Sequence, residues 1–353
     1  MEHYTTKTIR ASSRGFQYID CSAPGPKVGS YTFVGHLGKG AFSIVYDVVD
    51  ASGTNHAAKV FRRERRFAAC GRTEGALLQD LADCSHIISC TEMFLLNGAV
   101  TLVIDKALTD LYHYQKDFHI QGHSMGCPTS MYSVKDLALS LLQGIKFLEE
   151  NNIVHCDIKP ENVLLKGGAD GLQAVLADLG SACRGVRTTT NGLIASPWYR
   201  PPEVYAKGFM SHPGDLWGVG CVLYEYAFGE ALFDVTRSRH TTDEEVARLF
   251  ASHVVVMGHP STGIIDTDGP IVNSLGFPPS FRNTGSLSYE KSMILELRVH
   301  DILKYTDLNV ILSGIFVWDA SARVSIADAL ATVQTWGNLS SVPPPAASPP
   351  LRR

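Results

Sequence analysis

The chain has 353 residues, 45% of them hydrophobic, and a formal charge of −4 at pH 7. That length exceeds one average domain and falls short of three, and the apolar content is enough for real cores. So small a charge argues against a general nucleic-acid binder or an acidic-membrane binder, and leaves only weak attraction for basic substrates.

The eight cysteines, at 21, 70, 84, 90, 127, 156, 183 and 221, include no Cys-x-x-Cys pair and no tight Cys/His cluster. Reduced thiols in an intracellular setting are therefore expected. Met1-Glu2-His3 opens no apolar signal segment, and no stretch of about 18 uncharged apolar residues follows, so neither secretion nor a membrane span is expected.

Residues 1–30 carry Ser, Gly and Pro with little periodicity, and Cys21-Ser22-Ala23-Pro24-Gly25-Pro26 reads as a linker or a strap lying on the fold. From Tyr31 the texture changes. Tyr31–Gly35, Ile44–Val49 and Ala57–Phe61 predict three antiparallel strands, the last two joined through Ser52-Gly53-Thr54. Leu37-Gly38-Lys39-Gly40-Ala41-Phe42-Ser43-Ile44-Val45 puts two glycines in the first turn, where absent side chains let backbone amides approach phosphates; a surface hairpin uses the same pair.

Lys59 ends a small-residue strand and is either a solvated surface lysine or the partner of a helix glutamate. Glu74 is the first choice, and Glu64, inside the charged run Arg62 to Arg66, is the alternative. Apolar spacing predicts a helix from Arg72 to Asp83, then strands at Ile87–Thr91 and Val100–Ile104, so that five strands and one helix make a small lobe ending near Asp105. Leu137, Leu141, Leu142, Ile145 and Leu148 fall on one side of a core helix over Leu137–Glu150.

His155-Cys156-Asp157-Ile158-Lys159-Pro160-Glu161-Asn162 and then Asp178-Leu179-Gly180 carry the chemistry. Asp157 can orient and deprotonate a hydroxyl, Lys159 can steady a transferred phosphoryl, and Asn162 and Asp178 can offer oxygen ligands to magnesium. Spacing alone yields a polar loop with magnesium-binding potential. His155 reads as a packing and hydrogen-bonding residue in preference to a base, and Cys156 as a buried thiol in preference to a redox sensor. From Pro213 to about Trp336 the pattern is mostly helical, with a Gly/Pro-rich insertion at about 243–292. The Pro-rich residues 338–353 read as disordered or polyproline II.

His-x-Asp-x-Lys-x-x-Asn followed by Asp-x-Gly resembles the eukaryotic protein kinases. The resemblance implies a bilobal α+β fold, with a β-rich small lobe over 31–105, a mainly helical large lobe over 106–337, and the extension 1–30 and tail 338–353 outside them. It implies ATP and magnesium as cofactors. It assigns nucleotide binding to Leu37, Gly38, Gly40, Val45, Ala58, Lys59, Glu74, Ile104, Asp105, Ala107 and Leu164. Catalysis falls to Asp157, Lys159 and Asn162, and metal binding to Asn162 and Asp178. It also matches Ser196 to a hydroxyl beside the catalytic Asp and Lys, Glu203 and Arg323 to an ion pair, and Asp215, otherwise a helix cap, to an anchor of the catalytic loop.

There are departures from the family pattern. Ser43 stands for the third loop glycine, Leu179 for a phenylalanine, Pro201 for an alanine and Cys156 for a frequent arginine. The last implies an enzyme that needs no phosphate on its activation segment.

Tyr199-Arg200 before Pro-Pro-Glu resembles the CMGC branch, in which Arg200 helps shape the substrate-binding loop. The Asp157–Asn162 and Ala177–Cys183 segments look most like the serine/arginine-rich-protein kinases. The branch implies serine/threonine phosphorylation of protein substrates, and the subfamily implies Arg-Ser-rich ones, read by acidic residues such as Asp243-Glu244-Glu245, a run that a solvated helix start explains as well. Leu193 lies where mitogen-activated members carry a phosphotyrosine, and Thr188, Thr189 and Thr190 are candidate acceptors. No stable nucleic-acid or membrane partner is expected, and residence is cytoplasmic or nuclear. The alternative from another class is a pseudokinase, a binding or scaffolding module without transfer activity.

Overall fold

Along Ser43–Val49 burial alternates, with Ile44, Tyr46 and Val48 inside, as a half-buried antiparallel strand requires. The computed structural model describes residues 3–4, 9–11, 15–22, 25–121, 132–168, 171–188, 194–233, 249–250, 252–254, 256–257 and 306–337. The chain divides into two compact units, Met1–Asp110 with Leu164–Ser181, and Leu111–Val163 with Ala182–Arg353.

The first unit is built on a seven-stranded sheet in the order His3–Tyr4, Cys90–Leu96, Ala99–Asp105, Asn55–Phe61, Ser43–Val49, Tyr31–Lys39 and Lys27–Val28. All neighbours pair antiparallel except His3–Tyr4, which runs parallel to Cys90–Leu96. Phe33, Ile44, Tyr46, Val48, Val60, Phe94, Leu96 and Val103 form one continuous core, joined by Phe16 and Ile19 from the N-terminal extension. Thr109–Asp110, Val163–Gly168 and Gly171–Leu176 make a smaller sheet.

The helix begins at Arg65 and ends at Asp80, not over the expected Arg72–Asp83. Its first turn was hidden in the charged run because Phe67 and Ala68 bury beneath the arginines: the Arg62 and Arg66 guanidinium carbons lie 4.3 and 4.4 Å from the Phe67 ring centroid. The strand expected at Ile87–Thr91 runs instead from Cys90 to Leu96. Ile87 and Ile88 are buried, but they bond elsewhere: Ile87 bridges Leu176, and Ile88 N donates to Leu176 O at 2.9 Å. An apolar run read the same way in sequence, while its backbone partner was out of local view.

In the second unit, Val134–Glu150 is capped by Ser133, whose side chain accepts from Asp136 N, and it buries Leu137, Leu141, Leu142, Ile145 and Leu148. It packs against His212–Phe228 and Ile326–Gln334. His212–Phe228 is buried almost all round and closes at Gly229, whose φ of 78° is readily adopted by glycine. Short ladders pair Ile153–Val154 with Cys183–Arg184 and Arg187–Thr188 with Phe209–Met210.

Among the described residues no helix is long and apolar enough to cross a membrane, and Cys21, Cys70, Cys84, Cys90, Cys156, Cys183 and Cys221 are free thiols. Asp243-Glu244-Glu245 and most of the insertion at 243–292, apart from 249–250, 252–254 and 256–257, lie outside the described residues, as do the tail at 338–353 and Thr189, Thr190 and Leu193.

Candidate active site

In the first unit the two expected loop glycines fall on one hairpin. Gly38 is opposite Val45, Val45 is opposite Lys59 on the next strand, and Gly40 N donates to Ser43 O at 3.0 Å to close the turn. A Cβ built on Gly38 meets nothing within 4 Å, and one on Gly40 meets only Ser43 O at 4.0 Å, so a ligand has open access to this backbone. Leu37 is exposed beside them. Ala58 is opposite Val103, and Ile104 is opposite both Ala57 and Cys90. Asp105 N donates to Ser89 O at 3.1 Å, and the Asp105 carboxylate takes an ion pair from Lys166. Ala107 follows, half-buried, and Leu164 is opposite Asp110 in the smaller sheet.

Lys59 is the electrostatic centre of this unit. Its Nζ donates to Glu74 Oε1 and Oε2 at 2.7 and 2.8 Å and to Asp178 Oδ1 at 2.9 Å. Glu64 takes no part: it precedes the helix and pairs with Arg62. Burial pulls the Lys59 ammonium down, but the Asp178 and Glu74 carboxylates outweigh it and hold the group above the ordinary lysine value. Burial pushes the Glu74 carboxyl up to about 7, against the pull of Lys59. Gly180 lies under Glu74 and Asp178: a Cβ there would stand 3.2 Å from Asp178 Oδ1 and from Glu74 Oε2.

In the second unit Asp157 is held by four donors. Oδ1 accepts from Ser196 N at 2.9 Å and Ser196 Oγ at 2.7 Å, and Oδ2 accepts from Lys159 Nζ at 2.9 Å and Asn162 Nδ2 at 3.2 Å. Lys159 also donates to Ser196 Oγ at 3.0 Å, and Asn162 Nδ2 to Asp157 O at 2.8 Å. Because the Asn162 nitrogen is used inside the loop, its amide oxygen is the atom left for a cation.

Asp215, buried, accepts from His155 N at 2.6 Å and Cys156 N at 2.9 Å, and burial pushes its carboxyl up to about 7. These bonds fix a strained backbone, since Cys156 has φ +68°. The Cys156 thiol is fully buried, 3.9 Å from Cys183 Sγ. The hydrogen bond between the two thiols, with Arg187 nearby, holds the Cys183 thiol below its ordinary value.

Arg200 donates through Nε to Ile194 O at 2.8 Å and through Nη2 to Ala195 O at 2.7 Å, bracing Ala195 at φ +66°. Arg323 binds both oxygens of Glu203, at 2.7 and 2.5 Å, and donates to Val317 O and Pro213 O. Sequence reasoning gave no role to His253 or Tyr199. His253 Nε2 lies 3.1 Å from Arg200 O while its ring stacks on Phe233 at 4.2 Å, and Tyr199 Oη donates to Glu225 Oε2 at 2.6 Å. His253 carries no motif signal, and the motif that contains Tyr199 says nothing of Glu225, because each acts on a partner distant in the chain.

The protein kinase domain family matches residues 31–333. Among curated relatives, dual specificity tyrosine-phosphorylation-regulated kinase 3 of Homo sapiens is 30% identical over 251 residues, covering 69% of this chain and 40% of that protein. The same kinase of Macaca fascicularis is 30% identical over 251 residues, covering 69% of this chain and 41% of that protein. Dual specificity tyrosine-phosphorylation-regulated kinase 4 of Homo sapiens is 28% identical over 335 residues, covering 89% of this chain and 59% of that protein. The chain thus spans about two fifths of the length of the kinase 3 relatives.

Proposed function

This chain belongs to the protein kinase domain family, in its CMGC branch, and we propose that it transfers the γ-phosphoryl group of ATP to serine or threonine hydroxyls of protein substrates. The observation that carries this reading is Lys59, buried and held by both oxygens of Glu74 and by Asp178. A lysine so fixed presents charge at one point, and positioned charge is most of what phosphoryl transfer requires of a protein. A binding module without transfer activity would have no need to keep that pair as well as a complete Asp157, Lys159 and Asn162 set.

In this reading Leu37, Val45, Ala58, Ile104 and Leu164 contact the adenine, and the backbone of Asp105 and Ala107 hydrogen-bonds its edge. The amides around Gly38 and Gly40 and the Lys59 ammonium hold the phosphates. Asp157 accepts the proton of the attacking hydroxyl as its oxygen bonds to the γ-phosphorus. The bond from that phosphorus to the bridging oxygen breaks, ADP leaves, and Lys159 compensates charge on the moving group.

Asp178 and the amide oxygen of Asn162 are hard oxygen donors that suit magnesium, and the Asp178 side chain is 41% exposed. These oxygens would hold magnesium, which would supply charge neutralisation for the phosphates. Arg200 and Ser196 shape the loop that receives the acceptor residue. Glu203, Arg323 and Asp215 hold that loop and the catalytic loop in place.

The finer reading is a preference for Arg-Ser-rich substrates, supported by the Asp157–Asn162 and Ala177–Cys183 motifs. The curated relatives carry a dual-specificity name, so tyrosine belongs in the test. An intracellular setting, cytoplasmic or nuclear, completes the proposal.

The experiment is magnesium-dependent transfer of the ATP γ-phosphate to a degenerate Ser/Thr/Tyr peptide array, by the intact protein and by Asp178→Asn. We expect transfer to Ser and Thr that the variant loses. Nucleotide binding with no transfer to any peptide would instead select the scaffolding alternative, and an array profile with no basic preference would remove the Arg-Ser reading.

A further inference from the structure

Lys39 lies between the two glycines of the phosphate loop, and its side chain is gripped by the N-terminal extension. Its Nζ donates to Tyr18 Oη at 2.7 Å and stands 4.7 Å from the Phe16 ring centroid and 5.3 Å from that of Tyr18. A charge-assisted hydrogen bond and two cation–π contacts thus converge on one ammonium.

The segment that supplies the rings is itself anchored. Along Gln17–Ile19 burial alternates, so that Gln17 and Ile19 face inward and Tyr18 faces out. The buried Tyr46 hydroxyl accepts from Ile19 N at 3.1 Å and donates to Gln17 O at 2.9 Å, pinning both flanks of Tyr18. Burial pushes that phenol up to about 12, so it remains a neutral donor. Phe16 is buried in the sheet core, and the Arg62 guanidinium also lies 4.9 Å from its ring centroid. Tyr46 belongs to the Ser43–Val49 strand and Lys39 to its neighbour, so residues 15–22 span the hairpin from one strand to the other.

We propose that Phe16 and Tyr18 form a strap that positions the glycine-rich loop through Lys39. The proposal rests on the reading of that loop as the phosphate-binding element. Gly38 and Gly40 make its backbone permissive, and a permissive loop must be ordered whenever a nucleotide binds. A loop ordered in advance by the strap loses less conformational entropy, so nucleotide affinity rises with no new contact to the ligand. Tyr18 is a positioning residue, acting through Lys39 and touching no reacting atom.

The test uses the full chain with Tyr18→Ala, Tyr18→Phe, Lys39→Met, Lys39→Arg and the Tyr18→Ala/Lys39→Met double variant. Backbone hydrogen exchange over residues 36–45 is followed in the nucleotide-free protein, and steady-state kinetics give KM for ATP and kcat. Tyr18→Ala is expected to speed exchange in the loop and raise KM for ATP by about threefold to tenfold, with kcat within about twofold.

Tyr18→Phe, which keeps the ring and loses the hydroxyl, should fall between the wild type and Tyr18→Ala. Lys39→Met should match Tyr18→Ala, the double variant should add nothing further, and Lys39→Arg should keep the wild-type behaviour. A purely structural role would lower the thermal midpoint and leave loop exchange and KM unmoved. Unchanged exchange in Tyr18→Ala, or additive effects in the double variant, would overturn the strap. Absence of any transfer by the wild type would overturn the proposed function alone, and calorimetric titration with Mg-ATP would then replace KM in judging the strap.

Discussion

Glu74 must be ionised to hold Lys59, yet its burial favours the neutral acid, and the balance sets its carboxyl near 7. Two opposite pH trends follow. The pairing strengthens as pH rises through 7, so nucleotide binding and transfer should climb from pH 6 to 8 in the wild type and lose that slope in Glu74→Gln. Stability runs the other way. The folded protein holds a proton on Glu74 that the unfolded chain, with an ordinary glutamate near 4.5, has released. The stabilisation is therefore fully present below 4.5 and is lost as pH rises through 7, by no more than about 1.4 kcal/mol per pH unit. Thermal midpoints of wild type and Glu74→Gln from pH 5 to 8 should diverge with the wild type falling faster; parallel curves would show that Glu74 does not titrate in this window. The sequence placed Glu74 beside Lys59 only as the better of two choices, since strand-to-helix distance cannot be read from spacing. Its depth, and the third partner Asp178, could not be read at all.

At the scale of elements, the helix Arg65–Asp80 must lie close against the sheet for Glu74 to reach Lys59. Gly71 makes that approach feasible: a Cβ there would stand 2.8 Å from two atoms of the Phe61 ring, which is itself fully buried with Lys59 Nζ 5.1 Å from its centroid. Gly71→Ala gains roughly 1 kcal/mol of helix propensity but overpacks a rigid ring, at a cost of about 1 to 3 kcal/mol. The expected outcome is a lower or unchanged thermal midpoint together with weaker ATP binding, as the helix backs away and lengthens the Lys59 to Glu74 contact. A variant more stable than wild type with undiminished ATP affinity would contradict this account. Element type was legible wherever periodicity was strong, as in Val134–Glu150, whose four core leucines and one isoleucine were named from spacing. Boundaries were less so. Arg62 and Arg66 hid the first helical turn because long cationic side chains can cover an apolar ring while they read as polar in sequence.

Across the whole molecule the residues proposed for function separate by unit. Lys59, Glu74, Asp178 and the nucleotide-side residues belong to the first, and Asp157, Lys159, Asn162, Ser196 and Arg200 to the second. Asn162 and Leu164 are near neighbours in the chain yet fall in different units, which no linear reading of motifs reveals. In the second unit one ion pair joins the start of the Pro202–Lys207 helix to residues 120 positions later: Arg323 binds Glu203, with the arginine side chain fully buried and its guanidinium carbon 4.9 Å from the Trp217 ring centroid. Removing one member strands a buried charge, a loss of about 3 to 5 kcal/mol, whereas removing both is far milder. Arg323→Ala should therefore lower the midpoint sharply and abolish transfer, and adding Glu203→Gln should recover part of the stability. Mg-ATP affinity measured below the new midpoint should stay within about threefold of wild type, since the residues assigned to the adenine and the phosphates lie in the other unit. An unchanged midpoint would show that the pair does not hold the second unit together, and an affinity loss as large as the loss of transfer would show that the two units do not divide the work as the residue assignments imply.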